Sequence, residues 1–160
     1  MQKEKEPLDF AGAKEKALRL LEFRAHSEAE LAQKLRRAGA EPEHIDAVLE
    51  FLREYHFVDD RIYAERLAAD LANLKKFGRH RIMAELSRKS IARDICNDVI
   101  DELELDEEEM LLPLMEKKLG GDFDRKSRDR AFRYFAARGY SFDDIKRAFD
   151  EISSRDYEEE

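Results

Sequence analysis

The sequence predicts an all-α protein of three tandem three-helix repeats, about nine helices in all, and three observations lead to this prediction. Only three prolines and six glycines interrupt the 160 residues, so most of the chain can be helical. Charged residues make up 42% of the chain, which favours small units with much surface over one large core. Apolar residues also recur at matched positions about 50 residues apart. We therefore expect an elongated, curved array of repeats with small contacts between neighbours.

The repeat is clearest when Leu35, Leu86 and Phe135 are aligned. The positions that follow share a turn-forming or apolar character: Gly39, Ser90 and Gly139 four residues on, Ala40, Ile91 and Tyr140 five on, and Ile45, Cys96 and Ile145 ten on. A glycine at the first of these positions indicates a helix that closes in the left-handed conformation. The register predicts the same conformation for Ser90.

The first repeat is predicted at residues 11–58. Ser27 and Glu30 form a capping-box pattern at the start of the middle helix, and Pro42 is placed to begin the third helix. The apolar stripes of the three helices are Ala13, Ala17, Leu20 and Leu21, then Leu31, Leu35 and Ala38, then Ile45, Val48, Leu49 and Leu52.

The second repeat is predicted at residues 59–105. Asp60 is the expected N-cap of its first helix, which is expected to run as far as Gly78. The apolar positions are Tyr63, Leu67, Leu71 and Leu74, then Ile82, Met83 and Leu86, then Cys96, Val99, Ile100 and Leu103.

The third repeat is predicted at residues 106–152. Its first helix is expected from about Glu107 to Leu119, before the break at 120–121, and Ser141 with Asp144 resembles a second capping box. The remaining apolar positions are Ala131, Phe132 and Phe135, then Ile145, Ala148, Phe149 and Ile152. A charged tail at 1–10 and an acidic tail at 153–160 flank the three repeats.

Charge is segregated along the chain, although the net charge is −8. Residues 75–93 carry seven Lys and Arg against one acid, and residues 101–109 carry seven acids. Such segregation is consistent with a solvated, salt-bridged surface and equally with a face that meets an anionic or bipolar partner. The candidate binding residues are the cations of the middle helices and adjoining turns: Lys34, Arg36, Arg37, Lys75, Lys76, Arg79, Arg81, Arg88, Lys89, Arg130, Arg133 and Arg138. We expect those at positions 75, 76, 79 and 81 on exposed turns and faces.

No motif indicates catalysis, a cofactor or a metal site. The four histidines are scattered without metal spacing, and we expect each at the surface or at a cap: His26, His44, His56 and His80. Cys96 occupies a core position of the register and is therefore expected to be buried and inert. Asp59 and Asp60 could form an acid pair or metal clamp, but a helix-capping turn explains them with fewer assumptions. A single cysteine and the lack of an apolar span favour the cytosol.

Direct sequence reading of DNA is disfavoured, although three-helix units resemble helix-turn-helix domains. In those domains the last helix enters the major groove and should be basic or polar. Here the third helix of every repeat is acidic: Glu43, Asp46, Glu50 and Glu54, then Asp94, Asp98, Asp101 and Glu102, then Asp143, Asp144, Asp150 and Glu151. A weak, nonspecific phosphate contact by the basic middle helices remains an alternative.

Four segments together resemble the RecX family, in matching order and spacing. They are the run from Ala17 to Leu35, the Phe57-Val58-Asp59-Asp60-Arg61-Ile62-Tyr63-Ala64 junction, the Gly78 to Leu86 stretch, and Arg138-Gly139-Tyr140-Ser141. The resemblance covers about residues 11–152. Where the family usually has Lys-Gly at the end of the second middle helix, this chain has Lys89-Ser90.

The resemblance implies a regulator of the RecA recombinase, acting in DNA repair, homologous recombination and the SOS response. Its partners would be RecA and the RecA filament on single-stranded DNA, with inhibition as the usual outcome. It implies a monomer without enzymatic activity or cofactor, with weak or no direct DNA binding. The alternatives are a nonspecific nucleic-acid-binding module and a structural adaptor for another partner.

Overall fold

The structure is a computed structural model that describes residues 6–158. Those residues form nine α-helices and no strand, which confirms the all-α prediction. In chain order the helices are α1 (Phe10–Phe23), α2 (Glu28–Arg37), α3 (Pro42–Glu54), α4 (Asp60–Asn73), α5 (Arg79–Arg88), α6 (Arg93–Glu102), α7 (Glu107–Leu119), α8 (Arg125–Ala137) and α9 (Phe142–Glu158). Residues 1–5 and 159–160 of the two predicted tails lie outside the described part, and residues 153–158 continue α9.

The helices form three groups in sequence, and each group encloses its own hydrophobic cluster. Helices α1 to α3 surround the first cluster, α4 to α6 the second and α7 to α9 the third. In every extensively packed helix pair, both helices belong to the same group of three. The chain is therefore three tandem three-helix repeats, as the sequence predicts.

The repeat register predicts both the core and the turns correctly. Leu35, Leu86 and Phe135 are buried almost completely. Each of the three positions four residues later has a positive φ: 97° at Gly39, 56° at Ser90 and 99° at Gly139. The left-handed conformation predicted for Ser90 is confirmed. The other aligned positions are buried as well: Ala40, Ile91, Tyr140, Ile45, Cys96 and Ile145.

The start and end of α4 differ from the prediction. Asp59, not Asp60, caps the helix, because its carboxylate accepts hydrogen bonds from the N–H groups of Arg61 and Ile62 at 2.9 and 3.1 Å. The helix ends at Asn73 rather than near Gly78. The prediction of Leu74 in its apolar stripe is therefore wrong, because Leu74 lies beyond the helix and is exposed. Lys76, with a φ of 57°, turns the backbone away from the helix before Gly78 is reached.

The two predicted capping patterns agree with the structure. Ser27 and Glu30 form both hydrogen bonds of a capping box at the start of α2. At the start of α9, the Ser141 hydroxyl accepts a hydrogen bond from the Asp144 N–H.

The middle helices of neighbouring repeats meet end to end. At the joint between repeats 2 and 3, the Arg138 carbonyl at the end of α8 accepts from the Gly78 N–H at the start of α5 (2.8 Å). The Gly139 carbonyl accepts from the His80 N–H at 3.2 Å. These contacts satisfy N–H groups that a helix start leaves without an internal partner.

The joint between repeats 1 and 2 uses the equivalent positions. Ser27, which precedes α2, donates its hydroxyl to the carbonyl of Lys89 at the end of α5 (3.0 Å). The Glu28 N–H at the start of α2 donates to the carboxylate of Asp60 (2.9 Å). Helices α8, α5 and α2 therefore follow one another head to tail, with the C-terminal end of each against the N-terminal end of the next. This alignment also places the negative end of each helix dipole against a positive one.

Candidate binding surface

The predicted binding cations lie on or beside the middle helices, but their surroundings differ. Six of the side chains are well exposed on α2, α5 and α8 or at their ends: Arg36, Arg37, Arg79, Arg88, Arg130 and Arg133. Lys75 and Lys76 are exposed in the turn between α4 and α5, and Lys34, Arg81, Lys89 and Arg138 are half-buried. Exposed cations therefore lie on or beside each of the three middle helices.

Two of these cations hold the joint between repeats 2 and 3 together. Arg81 donates to the carbonyl of Ala137 at 2.9 Å, and Arg138 donates to the carbonyl of Lys75. Both guanidinium groups also lie against the ring of Phe77, with distances of 4.7 and 5.0 Å to its centroid. The prediction that Arg81 lies on an exposed face is therefore wrong, because the side chain bridges two repeats.

Lys89 belongs to a network of charges at the joint between repeats 1 and 2. Its ammonium group lies 3.6 Å from the Glu30 carboxylate, which also accepts from Arg24 at 3.0 Å and from the Tyr63 hydroxyl at 2.9 Å. Burial alone would raise the pKa of Glu30. The hydrogen bonds from Arg24, from the Ser27 backbone and from Tyr63, together with Lys89, outweigh it and lower the pKa to about 2. Burial and the bond to Glu30 raise the pKa of Tyr63 to about 12.

Lys34 is directed toward a histidine rather than toward solvent. Its Nζ lies 2.7 Å from Nε2 of His26, whose Nδ1 lies 2.9 Å from the Arg24 carbonyl. His26 is buried, so the expectation of a surface or cap position is wrong for this histidine. Burial lowers the pKa of His26, which favours the neutral ring that can accept from a lysine.

Part of the acidic charge on the third helices is neutralised within the repeat. Arg61 of α4 pairs with Asp98 and Glu102 of α6, and Arg79 of α5 pairs with Asp101. These pairs are exposed and each contributes little to stability. The helix that would enter a DNA groove nevertheless keeps an acidic surface, which disfavours phosphate contact there.

No catalytic arrangement is apparent within residues 6–158. Cys96 is fully buried, and its thiol donates weakly to the Ile91 carbonyl at 3.6 Å. Burial raises the pKa of this thiol, which disfavours the reactive thiolate. Ligand atoms of Glu41, Glu43 and His44 lie within 4.8 Å of one another, but both carboxylates are exposed and nothing further indicates a metal site. None of the described helices is long and apolar enough to cross a membrane.

The structure adds one feature that the sequence did not reveal, a cleft of about 400 Å³ where α4, α7 and α8 end. It is lined by Leu74, Lys75, Lys76, Leu114, Lys117, Lys118, Tyr134, Phe135 and Arg138. The lysine pair 117–118 was visible in the sequence, but only the packing of repeat 3 against repeat 2 brings it near the pair 75–76.

The fold defines a class, the all-α proteins of tandem three-helix repeats, and comparison with known proteins identifies the family. The models of the first, second and third three-helix domains of RecX match residues 13–52, 59–100 and 106–149. The chain belongs to the RecX family.

Relatives and solved structures agree with this assignment. The chain is 33% identical to the regulatory protein RecX of Cronobacter sakazakii over 82% of this chain and 87% of that protein. It is 31% identical to the RecX of Clostridium perfringens over 94% of this chain and 73% of that protein. The crystal structure of RecX from Lactobacillus salivarius has the same fold, with a TM-score of 0.80 at 24% identity, covering 91% of this chain and 97% of that one. RecX is a family of regulatory proteins, so the role of this chain is regulatory.

Proposed function

We propose that the chain binds the RecA recombinase and its filament on single-stranded DNA, and lowers recombinase activity. Family membership supports the regulatory part of the proposal. The observation that carries the finer part is the end-to-end line of α2, α5 and α8, each of which carries exposed cations. Cations spread over all three repeats suit an extended, polymeric partner, since each repeat can contact a different part of it.

The joints support this use of the surface. Between repeats, the main contacts are hydrogen bonds and ion pairs, while the three hydrophobic clusters remain separate. Small polar joints permit movement between units more readily than a shared core does. Three stable units with adjustable joints can follow the groove of a helical filament.

The test compares two triple charge reversals of the full chain. The first changes Arg36, Arg37 and Arg88 to Glu, all exposed on α2 and α5. The control changes Lys16, Lys146 and Arg155 to Glu, which alters the net charge equally at exposed positions outside the middle helices. Co-sedimentation with RecA filaments should fall strongly for the first variant and little for the control.

A nonspecific nucleic-acid-binding module is the competing explanation, and bare single-stranded DNA distinguishes the two. Charge complementarity predicts that the filament binds much more tightly than the DNA alone at physiological salt. Equal binding to filament and bare DNA, with the same loss on charge reversal, would contradict the proposed function.

A further inference from the structure

The cleft where α4, α7 and α8 end has a strongly one-sided charge. Five cationic side chains line it and no acidic one does: Lys75, Lys76, Lys117, Lys118 and Arg138. Among the other described residues many cations have an acidic partner, as in the pairs of Arg61 with Glu65 and of Lys146 with Asp150, whereas none of these five has one within 4 Å. An uncompensated group of five cations attracts anions.

The cleft also has an apolar part, whose exposure to water is unfavourable. Leu74 is 76% exposed, although it is a large aliphatic residue, and Tyr134 is 40% exposed. Leu114 of α7, which is half-buried, also lines the cleft. Apolar side chains surrounded by charged ones are characteristic of a binding site with an apolar anchor point.

The first helix of repeat 1, α1, also ends with an exposed apolar residue. Phe23 lies 51 residues before Leu74, is 91% exposed, and also precedes a cation, Arg24. The alignment is secure because Ala13 and Ala17 of α1 are buried like Ala64 and Ala68 of α4. An exposed apolar residue at this point therefore occurs in both of the first two repeats and is not an isolated irregularity.

Stabilisation of helix ends does not account for the whole arrangement. Cations near a helix C-terminus interact favourably with its dipole, and this explains Lys117 and Lys118 in the last turn of α7. Beyond the end of α4, however, the carbonyls of Lys75 and Lys76 already accept from Arg138 and Tyr140. Dipole compensation also gives no reason to expose Leu74.

Tyr134 is poorly placed to bind a nucleobase. The ammonium group of Lys118 lies 4.0 Å from its ring centroid, and the guanidinium of Arg138 lies 5.2 Å from it. The ring also makes an edge contact with Phe135. Stacking of a base needs an open aromatic face, so a base would have to displace a cation. Carboxylates with an apolar side chain between them need no such displacement.

We propose that this cleft binds an acidic peptide segment of a partner protein. Carboxylates of the segment would pair with Lys75, Lys76, Lys117 and Lys118, and an apolar side chain would lie against Leu74. The inference deepens the proposed function and rests on it, in that the segment would belong to the regulated partner.

The experiment measures fluorescence anisotropy of a labelled peptide, Glu-Glu-Glu-Leu-Glu-Glu-Phe-Glu-Glu, with the full chain at low salt. Lys117→Glu combined with Lys118→Glu should weaken binding by about tenfold or more, because it replaces two attractive charges by repulsive ones. Lys126→Glu combined with Lys146→Glu makes the same change of net charge away from the cleft and should weaken binding less than about twofold. Leu74→Ala should weaken binding by about fivefold, since the apolar contact is lost. Because Leu74 is exposed, this substitution should leave the fold intact.

Three results would overturn the assignment of the cleft. The two charge-reversed variants could lose binding equally, Leu74→Ala could have no effect, or a labelled oligothymidylate could bind more tightly and displace the peptide. Failure of the cleft assignment can be distinguished from failure of the proposed function. If the chain inhibits RecA filaments but does not bind the peptide, only the cleft assignment fails. If it binds the peptide as expected but leaves the filaments unaffected, the cleft assignment holds and RecA is not the partner.

Discussion

The backbone N–H of Gly78 and the carbonyl oxygen of Arg138, 2.8 Å apart, join the second repeat to the third. Their contact is possible because Gly78 has no side chain. A Cβ built at this position would lie 2.6 Å from the Gly139 carbonyl oxygen and 2.7 Å from its carbon. The φ of Gly78 is −80°, so glycine is required here for space and not for backbone conformation.

Gly78→Ala is therefore expected to destabilise the joint by about 1 to 3 kcal/mol, the usual cost of forcing a methyl group into a packed site. Urea unfolding followed by circular dichroism would measure the free energy of unfolding. Hydrogen exchange should become faster at the amides of Gly78 and His80, which donate across the joint. The control is Gly120→Ala, at a φ of 58° with nothing within 4 Å of the added Cβ. It should cost about 1 kcal/mol of backbone strain and leave exchange at the joint unchanged.

The joint between repeats 1 and 2 is expected to weaken in acid. The pKa of Glu30 is lowered from 4.5 to about 2 in the folded chain. A lowered pKa stabilises the fold above pH 4.5, and that contribution is lost as the pH falls toward 2. Its size is of order 3 kcal/mol. Burial raises the pKa of nearby Asp60, and a carboxyl group with a raised pKa favours the fold in acid. The contribution of Glu30 must therefore be isolated by comparing the chain with a variant that lacks this carboxylate.

Glu30→Gln provides that difference, because it keeps the shape of the side chain and removes its titration. The variant should be less stable than the unaltered chain at pH 7, and the two should converge only as the pH falls to about 2. Urea unfolding across this pH range would measure the difference. A constant gap between the two chains would contradict the role assigned to the carboxylate.

Ser90→Gly is expected to stabilise the fold by about 1 kcal/mol. Ser90 has a φ of 56°, a left-handed conformation in which a Cβ is strained and glycine is not. Ser87→Gly is the matched control, because it lies three residues earlier within α5, where glycine is the poorer helix former. Thermal unfolding should shift in opposite directions for the two variants. A shift in the same direction would show that the left-handed conformation of Ser90 costs nothing.

The sequence predicted the fold well wherever the determining interactions lie within one repeat. Apolar periodicity placed Leu35, Leu86 and Phe135 in the core, and local cap chemistry placed the start of α2 at Ser27. The error at the start of α4 arose because Asp59 and Asp60 are equivalent as caps on local grounds. Only the structure shows that Asp60 binds the Glu28 N–H of the preceding repeat.

The binding surface was less predictable, because it depends on contacts between repeats. Arg81 and Arg88 look alike in the sequence, yet one bridges to Ala137 and the other lies exposed. The buried position of His26 likewise depends on Arg24 and Lys34 folding around it. The basic cleft brings together residues more than 30 positions apart in the chain. Local sequence patterns do not indicate that such distant residues lie close together.

Cys96 is expected to react slowly with thiol reagents in the folded chain. It is fully buried and burial raises its pKa, so both access and the thiolate fraction are low. Ellman's reagent should modify it at the rate of a free thiol only after denaturation. Rapid modification of the native chain would mean that α6 does not pack in the register described here.

The last prediction is the regulatory activity itself. Sub-stoichiometric amounts of the chain should reduce RecA-dependent ATP hydrolysis on single-stranded DNA, because blocking one growing filament end affects many later subunits. The chain alone should show no ATPase or nuclease activity. Inhibition should weaken as salt is raised, since the proposed contacts are between charges. The Arg36, Arg37 and Arg88 reversal should lose inhibition, while the reversal at Lys16, Lys146 and Arg155 should retain it. Inhibition that appears only when the chain is in excess over free DNA would indicate sequestration of the DNA instead, and would contradict regulation through the filament.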